Sequence, residues 1–182
     1  MIVYLIRHGA TAGNLKHRYI GRTDEPLCDE GRDAIKKLIS PPCCDLFVSP
    51  MRRCAETASI LYPDQQPVIC EGFRECDFGD FEGKNYRELS GDPDYRAWID
   101  SNGTLPFPNG EAPVFFKNRC VQQFVNVIKY AHDPSVFVVH GGTIMAICEA
   151  FHGGDYYDYQ IPNGGMIRAV WDGTLLRDLE KL

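Results

Sequence analysis

The chain is expected to be an α/β protein: a three-layer α/β/α sandwich with a mostly parallel central sheet and an irregular lid insertion. Three observations carry this. Short continuous apolar runs, IVYLI at 2–6, DLFV at 45–48 and VFVV at 136–139, read as strands buried on both faces. Between them lie stretches whose apolar residues recur at helical spacing, the alternation expected of a doubly covered sheet with right-handed crossovers. Two of the runs stop at a histidine followed at once by glycine, His8-Gly9 and His140-Gly141. Those are the strand ends where open α/β sheets bind ligands.

Taken in order, IVYLI is the first strand. DEGRDAIKKLIS carries Ile35, Leu38 and Ile39 on one helical face, with Asp29 and Glu30 suited to its positive N-terminal end, and Pro41 and Pro42 stop it. DLFV is the second strand, residues 51–61 the second helix and PVICE at 67–71 a third, short strand. From about Gly83 to Pro113 periodicity fails and Gly, Pro, Asp and aromatics dominate, which predicts a lid or specificity segment. Val121, Phe124, Val125 and Ile128 mark an amphipathic helix, VFVV the next strand, and Ile144, Ile147, Cys148 and Phe151 a helix that Gly153 and Gly154 can end. MIRAVW and TLLRDL close the fold as a terminal strand or hairpin. No repeat or linker divides residues 1–182, so one domain is expected.

Composition narrows the function. Hydrophobic residues make up 44% and charged residues 24%, ordinary for a globular domain, and the net charge of -6 disfavours nucleic acid or an anionic membrane as partner. No apolar stretch approaches the ~20 residues of a membrane span, and MIVYLIRHG lacks a secretory signal's basic start and cleavage site, so a cytoplasmic protein is expected. The eight cysteines form no C-x-x-C pair and no zinc spacing. They are read as reduced and mostly buried, with Cys43 and Cys44 the exposed exceptions.

The strand ends deliver Arg7 with His8, Arg53 or Arg52 after Ser49, and His140 to one rim. Such a cluster, with helix N-termini after residues 50 and 142 and the amides of Gly141, Gly142 and Thr143, suits a phosphoryl group. No H-E-x-x-H, paired-Asp or G-x-x-x-x-G-K-[ST] motif is present, so neither metal nor other cofactor is expected. Phosphoryl transfer then needs a nucleophile, charge clamps and an acid for the leaving oxygen. His8 can attack if its free nitrogen is unprotonated, and neighbouring arginines lower its pKa. RECDFGDFEG offers Glu75, Asp77, Asp80 and Glu82; Glu75, nearest the third strand's end, is taken as the acid, its pKa raised by a bound phosphate.

RHGAT at 7–11 with Asn14, SPMRRCAETA at 49–58, RECDFGDFEG at 74–83 and HGGT at 140–143 together resemble the histidine phosphatase superfamily, the phosphoglycerate mutase-like family, in order and over nearly the whole chain. The resemblance implies a phosphohistidine on His8, a phosphate pocket of Arg7, Asn14, Arg53 and His140, and Glu75 as proton donor; the Gly141 amide is expected to join that pocket from its place at a helix start. The family's S-x-x-x-R-A spacing selects Arg53 over Arg52. Length, RYIGRTDEPLCDEG and PNGEA look like small bacterial phosphatases, particularly α-ribazole phosphatases of cobalamin assembly. Ala10, Cys54, Phe81 and Ala112 depart from the usual residues; none removes a catalytic group.

The expectation is therefore a metal-independent phosphomonoesterase acting on a small phosphorylated metabolite. A phosphoglycerate mutase and a catalytically silent phospholigand-binding module are the alternatives. Arg22 is read as a substrate contact or a turn residue, and Trp98 and Phe107 as substrate contacts or plain core. His17, His132 and His152 are read as surface or packing residues.

Overall fold

A computed structural model describes every residue from Met1 to Leu182. Its sheet is built from β1 (Ile2–Arg7), β2 (Asp45–Val48), β3 (Val68–Ile69), β4 (Ser135–Val139), β5 (Met166–Trp171) and β6 (Leu176–Lys181), in spatial order β3-β2-β4-β1-β5-β6. The first four of that order run parallel; β5 pairs antiparallel with β1, and β6 antiparallel with β5. The closing hairpin is thus as expected, while PVICE contributes only two exposed residues at the sheet edge.

Alternation along β1 divides the core. Val3 and Leu5 pack with Phe137, Val139 and the buried faces of α5 (Pro113–Ile128) and α6 (Gly141–His152). Tyr4 and Ile6 point the other way, onto Ile35 of α2 (Asp29–Lys36), which follows the single-turn α1 (Ala12–Leu15), and onto Cys54, Ala58 and Leu61 of α3 (Arg52–Leu61). Three layers follow, because both sheet faces are apolar and each must be covered.

The segment 83–113 is less irregular than its composition suggests. It contains α4 (Pro93–Asp100), opened by Asp92, whose Oδ1 accepts from the amides of Asp94 and Tyr95, with Pro93 in the first position. A separate small core of Cys76, Phe81, Leu89, Phe107, Phe116, Cys120 and Ala146 seats this lid on α5 and α6, with Trp98 and Tyr95 packed against it. All eight cysteines are free thiols; five are buried, Cys44 is exposed, and Cys28 and Cys43 are half-buried.

Candidate active site

Strand register sets the centre of the site. In the parallel β1–β4 pair Arg7 stands opposite Val139, so the next residues, His8 and His140, emerge side by side, with ring centroids 5.1 Å apart and edge to face. The His8 amide continues the ladder by donating to the Val139 carbonyl at 3.0 Å. His8 Nδ1 lies 2.7 Å from the Gly9 carbonyl oxygen, which can only accept, so Nδ1 carries the proton and Nε2 keeps its lone pair. The imidazole is buried and its pKa is held well below the ordinary value, first by desolvation and then by the Arg53 charge. Burial therefore outweighs the arginines, which the sequence suggested as the cause.

Arg7 lines the cleft. One terminal nitrogen donates to the Ile161 carbonyl at 2.7 Å, while its buried Nε has no partner. A buried guanidinium N–H without a partner costs free energy, so Arg7 holds donor capacity that the protein itself does not use. Asn14 also lines the cleft: its Oδ1 accepts from the amides of Thr11 and Asn163, which leaves Nδ2 as a second donor. The Gly141 backbone opens α6 beside them, so close to Arg7 that an added Cβ would lie 3.3 Å from the guanidinium carbon.

Glu75 lines the same cleft as His8. Its carboxylate accepts from the amides of Cys76 at 3.0 Å and Gly142 at 3.3 Å. Those bonds and the nearby Arg53 and Arg7 charges favour ionisation, but burial acts the other way and prevails, so its pKa is raised even without a bound phosphate.

The other predicted residues divide. Trp98 and Phe107 line the cleft, and the Trp98 indole N–H is buried without a partner. Arg22 does not reach it: the side chain pairs with Asp77 at 3.2 Å and its amide is held by Glu82, so it braces the turn on the far side of Glu75. Arg53 is wholly buried and absent from the cleft wall. Its nitrogens donate to the carbonyls of Thr23, Gly21 and Ile20 and, at 3.3 Å, to His140 Nδ1. His140 Nε2 in turn meets Ser49 Oγ at 2.7 Å. Both ring nitrogens of His140 and four of the five N–H groups of Arg53 are thus matched by protein, and neither side chain lines the cleft. The N-terminus of α3 is likewise capped by Asp24, which accepts from the Arg52 amide at 2.8 Å.

Sequence reasoning missed several groups. His17, read as a surface or packing residue, is exposed on the cleft wall, joined by Lys117, Tyr156 and Asn163. Asn163 Nδ2 also ties the His8 carbonyl at 3.1 Å, and its signal was the PNGG turn leading back to the end of β1. Tyr156 lies in GGDYYDY, which has no period to read.

A sheet-end cleft holding a neutral imidazole, a guanidinium N–H without a protein partner and a carboxyl group whose pKa burial raises is the arrangement expected of an enzyme for phosphoryl groups. The match to known proteins agrees: the profile of the histidine phosphatase superfamily (branch 1) covers residues 3–176, and the chain belongs to that superfamily. It is 31% identical over 158 residues to "Putative phosphoserine phosphatase 2" of Hydrogenobacter thermophilus, covering 80% of this chain and 75% of that protein. To the adenosylcobalamin/alpha-ribazole phosphatase of Escherichia coli it is 30% identical over 157 residues, covering 81% and 77%. The crystal structure of a "putative alpha-ribazole-5'-P phosphatase" from Escherichia coli superposes with a TM-score of 0.82 at 25% identity, covering 98% of this chain and 95% of that one. The chain is a phosphatase, and a histidine nucleophile follows from the family.

Proposed function

We propose that this phosphatase is a metal-independent phosphomonoesterase in which His8 carries the phosphoryl group. His8 Nε2 attacks phosphorus while the Glu75 carboxyl gives its proton to the departing oxygen, releasing the alcohol. Water then attacks the phosphohistidine, Glu75 takes a proton from it, and inorganic phosphate leaves with His8 restored. The Arg7 guanidinium, Asn14 Nδ2 and the Gly141 amide hold the phosphoryl oxygens; Arg53 and His140 keep His8 in place and maintain positive potential behind it. The observation that carries this reading is the bond from His8 Nδ1 to the Gly9 carbonyl, which leaves Nε2 bare in the cleft.

The cleft also bears on the leaving group. Its volume of about 1380 Å³ is lined by Tyr19, Phe78, Trp98, Phe107, Phe116 and Tyr156. The lysine and arginine on its wall beyond Arg7 are already matched, Lys117 by Glu149 at 2.8 Å and Arg18 by Glu88 at 2.9 Å. A second carboxylate, as phosphoserine or phosphoglycerate carries, would find neither of them free. An uncharged, aromatic leaving group fits better, and α-ribazole 5'-phosphate is the substrate we favour.

Acid-labile phosphoenzyme trapped after mixing with labelled substrate should disappear in His8→Asn, and activity should persist in a chelator. Full activity of His8→Ala, or complete loss in chelator, would reject the mechanism. Comparing kcat/KM for α-ribazole 5'-phosphate, phosphoserine and 3-phosphoglycerate tests the leaving group; a preference for either carboxylate would reject our choice.

A further inference from the structure

Behind Glu75, which it shares, lies a second, smaller recess lined by Arg22, Met51, Arg74, Asp77, Glu111 and Arg119. Arg119, on the face of α5 beside buried Phe116 and Cys120, is the hub of its contacts. Its Nε and one Nη2 hydrogen bond to the two Glu111 oxygens at 2.7 and 2.8 Å. Nη2 also donates to the Glu75 carbonyl at 3.0 Å, and Nη1 to the carbonyls of Arg74 at 2.6 Å and Gly72 at 3.0 Å. A guanidinium has five N–H groups, and these five bonds use all of them. Its guanidinium carbon also lies over the Phe116 ring, 4.9 Å from the ring centre, and Phe116 lines the substrate cleft.

Glu111 is the last turn of the lid. Its amide donates to the Asp77 carbonyl at 2.8 Å, and the Asp80 amide donates to the Pro108 carbonyl at 2.9 Å, strapping 108–111 against the loop that carries Glu75. The approach is so close that a Cβ on Gly79, already at φ +52°, would fall 2.0 Å from the Pro108 oxygen. Three separate pieces of chain therefore meet at one guanidinium: α5, the acid-bearing loop and the end of the lid.

We infer that Arg119, clamped by Glu111, is a positioning residue for the proton donor and ties the placement of Glu75 to the seating of the lid. The inference rests on the reading of Glu75 as the acid. Fork geometry is essential, because a lysine keeps the charge but cannot grip a carboxylate and three carbonyls together.

The test compares kcat/KM, which reports the steps up to alcohol release, for a primary alkyl phosphate and for 4-nitrophenyl phosphate, whose leaving group departs without a proton. Glu75→Gln sets the reference and should lose far more activity on the alkyl ester. Arg119→Lys and Glu111→Gln should show the same bias, at least tenfold greater loss on the alkyl than on the nitrophenyl ester, with unchanged circular dichroism. Equal losses on both esters, while Glu75→Gln retains its bias, would overturn the inference and reduce the pair to fold support. Absence of bias in Glu75→Gln itself would instead refute Glu75 as the acid. Should Arg119→Lys not fold, the near-isosteric Glu111→Gln decides.

Discussion

The Oε2 of Glu75 accepts a hydrogen bond from the Gly142 amide at 3.3 Å, joining the proposed acid to the first turn of the helix that follows His140. The contact has no room to spare: a Cβ on Gly142 would stand 2.6 Å from Glu75 Oε1 and 2.9 Å from Phe116 Cζ. Gly142→Ala should therefore fold, since alanine favours a helical turn, yet displace the carboxyl. A fall in kcat/KM of about 10- to 100-fold on an alkyl phosphate is expected, a cost of this size being usual for a displaced catalytic group. Steady-state kinetics beside a thermal melt would separate the two effects.

The opposite displacement of two pKa values shapes the pH profile. His8 is held well below the ordinary imidazole value, so it stays neutral, and activity should fall only when the pH drops through that lowered value. Glu75 is raised and supplies its proton until the pH climbs through its pKa, where kcat/KM should decline. In Glu75→Gln the alkaline limb attributable to this carboxyl should vanish and the acid limb remain.

Stability should show the same burial. His8 and His140 both titrate well below the ordinary value when folded, so below pH ~6.5 the unfolded chain binds protons that the native one does not. Stability then falls with acidification, each histidine contributing up to about 1.4 kcal/mol per pH unit within its window. Glu75, raised in the native state, acts in the reverse sense: its contribution is present at low pH and lost as the pH rises through its folded value. Urea unfolding at several pH values should give a slope that is shallower by one proton in His8→Asn.

Neighbouring arginines should behave differently. Arg53→Lys would strand the carbonyls of buried Ile20 and Gly21, at a cost of about 2–4 kcal/mol for buried acceptors left unpaired. Arg52, exposed and 3.6 Å from Glu56, should be replaceable by alanine within about 0.5 kcal/mol. Denaturant midpoints of both variants measure the contrast.

Buried strands and striped helices were legible because their apolar residues leave a period: β1, β2 and β4 as continuous runs, α5 and α6 as i, i+3, i+4 patterns. Helix α4 was not, for it buries no residue fully and so carries no stripe. At the site, residues adjoining strand ends were found by position, whereas partners chosen across space were not. Nothing in GRTDEP says that Arg22 turns toward Asp77, and nothing in SPMRRC says that Arg53 will be claimed by carbonyls of residues 20–23. The hub at Arg119 depends on a carboxylate eight residues earlier and a loop more than forty residues away, a distance no local pattern spans.

The spacing of His8 and His140 is inherited from the hydrogen-bonded ladder between two central strands, while the wall that meets the leaving group is assembled on its own small core. Reaction and selectivity can thus evolve at different rates. Exchange of residues 84–106 for the lid of a relative should retarget the enzyme without retuning its chemistry, provided Phe116, Glu111 and Arg119 are kept.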